Sequence, residues 1–363
     1  MRVFILGLAW GFLLLLVALP RAEAKIRHGV CADCHTMHNS QGGYTVANGT
    51  VYLSGPIPGL LNTDCIGCHT GTNTGTNTTP YVYSTSPPNY GANGFGTDGD
   101  TLAGGNFYWV TQGDDHGHNV YGIAGQDAAL GLTPPGGTTM AQQLRCAGTY
   151  GCHGDPNIAN PIVSMLGAHH ADDSVIDGST VGKSYRFLKG VLGYEDPQWE
   201  YHPTPSRHNQ YKGVDRTSET DIDPSTISGF CARCHGDFHH GSGNISGNSS
   251  GWGSPWLRHP TDYDLGNTDP GSEYRDYPGV LIGQTINGVT YTQGTYAPEV
   301  PLGSTNVANA TSTITFGGGA IITCLTCHRA HATPYAKSLR WDYWGWPGNG
   351  KLNGCNACHT TKD

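Results

Sequence analysis

Five stretches of this 363-residue chain read Cys-x-x-Cys-His: Cys31-Ala-Asp-Cys34-His35, Cys65-Ile-Gly-Cys68-His69, Cys231-Ala-Arg-Cys234-His235, Cys324-Leu-Thr-Cys327-His328 and Cys355-Asn-Ala-Cys358-His359. A sixth, Cys146…Cys152-His153, has the same ending behind a wider gap, and together the six consume all 12 cysteines. Zinc sites and redox disulfides also use CxxC pairs, but neither needs a histidine directly after the second cysteine. Covalently attached haem does. Two thiols must reach the two vinyl groups of one porphyrin while the next imidazole reaches its iron, and one helical turn brings all three to one side. The expected cofactor is therefore haem c, six per chain. At the third site a Cys146–Cys152 disulfide would explain the same letters. The haem reading asks instead for a bulged loop through Ala147-Gly148-Thr149-Tyr150-Gly151 that presents both thiols.

Each iron has a second axial position, and its occupant decides between electron transfer and catalysis on a bound ligand. Twelve histidines lie outside the motifs: His28, His38, His116, His118, His169, His170, His202, His208, His239, His240, His259 and His331. Only six are needed, so two histidines at every iron are feasible, with no coordination site left open. Methionine, with 4 residues, is a poor competitor. His38 lies three residues after His35, His331 three after His328, and His239 four after His235. On a helical turn such offsets fall on the same side as the motif histidine, and the macrocycle blocks each from the far face of its own iron. As ligands they must serve a neighbouring haem, which forces porphyrins close together. The other reading of these residues is a solvated or propionate-pairing imidazole. His118, in Gly117-His118-Asn119, and His259, in Arg258-His259-Pro260, lie in extended, breaker-flanked segments suited to reaching an iron from a loop. Of Ala168-His169-His170, one imidazole is expected as a ligand near the third haem and the other on a propionate. His28, His116, His202, His208 and His240 read as surplus.

The elements that must hold these residues are few. Residues 1–24 have a basic start, an apolar run from Val3 to Leu19, a break at Pro20 and the small-residue ending Ala22-Glu23-Ala24, the pattern of a signal peptide rather than a membrane span. The expected organisation is that leader followed by a single hexahaem domain over residues 25–363, exported through the periplasm to the cell surface or beyond. Glycine numbers 54 and proline 22, too many for an ordinary side-chain core. Six porphyrins fixed by covalent and iron bonds replace that core. The predicted fold class is mostly coil with short helices and a few short strands, wrapped around a haem chain. Short helices are expected at the CxxCH sites and over Thr139 to Leu144, a loop over Gly71 to Thr79, and a hairpin in 283–292 turning at Asn287-Gly288. Thr311 to Phe316 reads as another strand. Removing residues 1–24, which hold Arg2, Arg21 and Glu23, moves the formal charge from −9 to −10, so nucleic acid is not an expected partner. The tryptophans and tyrosines are expected to pack on porphyrin faces. Asn48, Asn77, Asn244, Asn248 and Asn309 match the glycosylation acceptor pattern.

The haem-binding islands carry a resemblance. Cys31-Ala-Asp-Cys-His-Thr-Met-His-Asn-Ser40, Gly117-His-Asn-Val120, Leu257-Arg-His-Pro260, Cys324-Leu-Thr-Cys-His-Arg-Ala-His-Ala332 and the ending Cys355 to Asp363 resemble, in order along the mature chain, the OmcS-type hexahaem filament cytochromes of metal-reducing bacteria. That resemblance implies a homopolymer outside the cell with a continuous haem chain, two histidines on each iron, and His38 reaching a haem of the adjacent protomer, the fifth. It also implies His118, His239, His259 and His331 as distal ligands within the subunit, and other cytochromes or extracellular metal oxides as electron partners. The chain departs from the pattern in its shorter length, its widened third site, and Asp155-Pro156-Asn157 where a histidine would follow that site. The His169-His170 pair offsets that loss. Two rival readings are a monomeric periplasmic or cell-surface electron shuttle, and a multihaem reductase with one open haem site. The absence of a CxxCK variant disfavours a nitrite reductase.

Overall fold

The computed structural model describes residues 34–35, 40–41, 44–45, 61, 63–216, 221–239, 259–346 and 352–361. Residues 1–24, expected as a signal peptide, and Cys31, His28, His38, His240, Trp252, Trp256, Asn48, Asn244 and Asn248 lie outside them. The described chain is mostly coil. Helices of one turn or little more cover Cys65–His69, Pro161–Ser164, Ile227–Cys231, Gly236–His239 and Cys324–Cys327, and 3₁₀ turns include Ala168–His170 and Gly354–Ala357. Strands occur only as short two-stranded pairs among the described residues. Among those residues, no helix is long and apolar enough to cross a membrane.

Local chemistry explains why helices begin at the motifs. Asp64 accepts a hydrogen bond from the Gly67 N–H at 3.0 Å, capping Cys65–His69. Thr226 caps the helix entering the fourth motif by accepting from the Gly229 N–H at 2.9 Å. Thr323 and Thr326 close a capping box before Cys324, and Asn353 accepts from the Cys355 N–H at 3.0 Å. The turns at the second, fourth, fifth and sixth motifs are thus each started by a side chain one residue ahead of the helix. The third motif differs. Arg145–Ala147 and Gly151–His153 pair in parallel, with Arg145 opposite Gly151 and Ala147 opposite His153. This register places Cys146 and Cys152 at one level on neighbouring strands, so the wider spacing still brings both thiols together.

The hairpin forms as expected: Thr285–Ile286 pairs with Val289–Thr290, and Asn287 and Gly288 take φ of 49° and 79° at the turn, the two positive values a type I′ turn requires. The Gly71 to Thr79 segment is a loop. Two expectations are corrected. Thr139 to Leu144 is not helical: the Thr139 and Thr133 hydroxyls share a hydrogen bond at 2.7 Å, the Met140 N–H donates to Leu132, and the Gln143 amide donates to the Asn119 and Ala124 carbonyls. Its polar groups are satisfied by the adjoining loop instead. Thr311 to Phe316 is coil with one bridge, Thr313 to Thr295.

Three small apolar clusters stand in place of one core. One gathers Tyr277, Leu281, Val300, Leu302 and Trp341 against Cys327, Cys355 and Cys358. A second holds Tyr185, Val191, Tyr211 and Phe230, with Leu325 packed on it. The third sets Phe107, Val110, Val120 and Ala332 against Cys146. Motif cysteines or their neighbours thus edge every cluster.

Candidate haem sites

Imidazoles from distant parts of the chain face one another in pairs, each combining one motif histidine with one from outside the motifs. Ring centroids lie 6.1 Å apart for His35 and His170, 6.4 Å for His69 and His169, and 6.5 Å for His153 and His331. They lie 6.0 Å apart for His235 and His118, and 5.9 Å for His359 and His259. Two imidazoles bound through nitrogen to opposite sides of one metal, each at about 2 Å, put their centroids on the order of 6 Å apart. A direct ring stack would be closer, as His208 on Tyr296 is at 3.7 Å. The gaps therefore fit an iron between each pair, and the paired motif thiols fit the porphyrin around it. Among the described residues no group of three or more His, Cys, Asp and Glu is arranged to hold a bare metal ion.

Backbone carbonyls orient the rings. Nδ1 of His69 lies 2.8 Å from the Pro80 carbonyl oxygen, that of His153 2.8 Å from Arg186, that of His235 2.8 Å from Pro135, and that of His328 2.8 Å from Lys337. His118 Nδ1 lies 2.7 Å from the Ala330 oxygen. An Nδ1–H donated in this way leaves the Nε2 lone pair for a metal. Burial lowers His118 and pushes His331 down to about 3, with His153 adding to the effect. Both are thus held in the neutral form that ligates. Burial also raises Cys68, Cys355 and Cys327, and pushes Cys152 up to about 11 and Cys358 up to about 12.

The sites follow one another in motif order. Cys34 lies near enough to act on Cys68, Cys65 on Cys146, and Cys234 on Cys152. Cys231 and Cys324 act on each other, and Cys355 and Cys358 act on Cys327. Distal histidines tie neighbouring sites as well. Gly117 bridges Ala332 and the His118 N–H donates to the His331 carbonyl at 3.0 Å, so adjacent backbones send His118 to the fourth motif and His331 to the third. The fit is tight enough to require glycine: a Cβ at Gly117 would lie 2.2 Å from the His331 oxygen, and one at Gly104 2.7 Å from the His331 ring.

A Cβ on Gly151 would lie 2.5 Å from the Ala147 nitrogen, against backbone that cannot yield without opening the Arg145–Ala147 and Gly151–His153 pairing. Gly151→Ala is expected to destabilise this corner by about 1–3 kcal/mol and to lower covalent haem at the third site alone. Peptide-resolved mass spectrometry of the thioethers on Cys146 and Cys152 measures it, and full loading would show that the tight register is not needed.

The structure sorts the remaining candidates. His169 and His170 do not divide between the third haem and a propionate: His169 faces His69 and His170 faces His35. In the 3₁₀ turn Ala168–His170 successive side chains point about 120° apart, so neighbouring residues reach two different sites. His239 is placed with Arg216 Nη1 at 3.2 Å and Asp262 Oδ2 at 3.4 Å, its ring turned inward by the helix Gly236–His239. His202 stacks on Tyr201 and contacts the Gly99 carbonyl, His208 sits between the Asn209 and Thr311 carbonyls, and His116 lies beside Asp115. The doublet itself was the available signal for two imidazoles that face different motifs.

Imidazole pairs spaced for iron, strung in motif order through a coil-rich chain, fit a multihaem c-type cytochrome. No family model matches the chain. It is similar to C-type cytochrome OmcS of Geobacter sulfurreducens, with 28% identity over 379 aligned positions that cover 90% of this chain and 82% of that protein. Among solved structures, the Outer Membrane Cytochrome S filament from Geobacter sulfurreducens aligns at 22% identity and a TM-score of 0.49, covering 92% of this chain and 98% of that one. The OmcS nanowires from Geobacter sulfurreducens, solved by cryo-electron microscopy, align at 24% identity and 0.47, over 86% and 83%.

Proposed function

We propose that residues 25–363 form one exported hexahaem domain that carries electrons through six bis-histidine haems and polymerises head to tail outside the cell. The observation that supports this best is the set of imidazole pairs with centroids 5.9 to 6.5 Å apart, each containing one motif histidine. In this reading the motif cysteines fix each porphyrin covalently, and His35, His69, His153, His235, His328 and His359 are proximal ligands. His170, His169, His331, His118 and His259 are the distal ligands of the first, second, third, fourth and sixth sites. Haem supplies a one-electron iron couple, and the chain sets ligation, spacing and exclusion of water. No substrate is chemically transformed.

The fifth site is completed from outside the subunit. Of the six motif histidines, His328 is the exposed one, and among the described residues no second imidazole faces it at the spacing of the other sites. The likeness to a filament cytochrome supports His38 of a second copy as its distal ligand. Such a junction makes the haem chain continuous from one protomer to the next, with other cytochromes or extracellular metal oxides as the terminal partners.

Imaging of the purified, haem-loaded protein by cryo-electron microscopy tests this. Filaments with unbroken haem density across subunit boundaries are expected, together with little carbon monoxide binding. Discrete particles at every concentration would favour a monomeric shuttle, and an iron that binds carbon monoxide in the native protein would favour the reductase.

A further inference from the structure

Charged side chains of opposite sign stand beside the last two sites. Where Nδ1 partners of motif histidines are seen at sites two to five, they are neutral carbonyls. At the sixth site the neighbour is a carboxylate: Glu273 Oε1 lies 3.7 Å from His359 Nδ1, with only 10% of the glutamate side chain exposed. Its other oxygen is pinned by the Thr361 N–H at 2.7 Å and hydroxyl at 2.5 Å, and Tyr274 meets the His359 ring edge-on at 5.2 Å. The carboxylate is therefore held in place beside the ring. One motif earlier the charge is reversed. Arg340 is fully buried, its Nε donating to the Leu325 carbonyl at 2.7 Å and its backbone N–H to Cys327 at 2.9 Å, both within the fifth motif. Its Nη2 is buried without a protein partner. Glu299, a buried acid on which Arg340 bears, is shifted by burial toward its neutral form.

We infer that Glu273 and Arg340 are positioning residues that set a potential step between the last two haems, holding the sixth low and the fifth high. This rests on the haem reading above. Reduction adds one electron, hence one negative charge, to an iron-porphyrin unit. A fixed carboxylate beside the ligating imidazole disfavours that change by Coulomb repulsion of the added charge. A buried guanidinium favours it. Low exposure at both positions keeps water from screening either effect. The fifth and sixth motifs are spatial neighbours, Cys327 feeling both Cys355 and Cys358, so the two opposed charges act across one electron-transfer step.

Spectroelectrochemical titration of the haem-loaded filament tests the inference. Glu273→Gln keeps the size of the side chain and an acceptor for Thr361. It is expected to move one haem's share of the amplitude upward from the low-potential end of the curve, and to change the electron paramagnetic resonance g values of one low-spin component. Arg340→Gln is expected to move one share downward from the high end, while Arg340→Lys, which keeps the charge, leaves it in place. Superimposable curves for Glu273→Gln and the native protein, or a shift confined to the middle of the curve, would overturn it. A native chain that carries no haem would overturn the haem reading itself.

Discussion

His38→Ala is expected to abolish polymerisation while leaving six haems on every chain. His38 stands three residues beyond His35, and on a helical turn this offset would lie on the proximal side of the first porphyrin, so as a ligand it would have to serve some other iron. His328 is the exposed motif histidine, and each of the other five faces an imidazole from outside the motifs. On the proposed reading, the fifth iron takes its second ligand from His38 of the adjacent copy. A coordinate bond across a junction contributes more than its contact area does, and its loss is expected to weaken each junction by about a hundredfold or more, equivalent to about 2.7 kcal/mol. Alanine is the appropriate replacement, because a methionine thioether is itself a haem ligand. Negative-stain images should show filaments for the native protein and separate particles for the variant, with one high-spin iron per chain at 25 °C. A variant that still forms filaments of native length, with every iron low-spin, would remove His38 from the junction.

What the sequence disclosed divides along local and non-local lines. Covalent attachment is written within a few residues, and so were the turn at Asn287-Gly288 and the capped helices at Cys65 and Cys324. Distal ligation is not written this way. His331 follows His328 closely, yet it faces His153, because the Gly117 to Ala332 bridge turns the segment toward the third motif. His118 and His259 could be singled out by their breaker-flanked settings, but the motif each faces is fixed only by tertiary structure. The Thr139 to Leu144 segment failed as a helix for the opposite reason: its local preference was overridden by hydrogen bonds to 119–133. Glu273 gave no signal at all, since it lies 86 positions before the histidine it adjoins and matches no motif.

Single replacements at the doublet should open two different irons. His169→Ala is expected to leave the second haem with His69 as its one protein ligand, and His170→Ala to leave the first with His35. Each variant should bind one carbon monoxide per chain at a distinct site, and the double variant two. The argument rests on direction: within the turn Ala168–His170 the two side chains diverge by about 120°, and their rings lie 6.4 Å from His69 and 6.1 Å from His35. Neither ring can replace the other without unwinding that turn, whose geometry is set by Gly167 at φ 77° and by the Ala171 N–H donating to Ala168 at 3.3 Å. Had one imidazole served a propionate, one of the single variants would leave every iron low-spin. Carbon monoxide difference spectra with resonance Raman spin-state markers decide the matter, and a silent single variant would return that histidine to the surplus. If these adjacent residues ligate adjacent irons, the doublet also fixes the distance between the first two haems. Insertion of one alanine between His169 and His170 is therefore expected to slow transfer across that pair even where both irons stay low-spin.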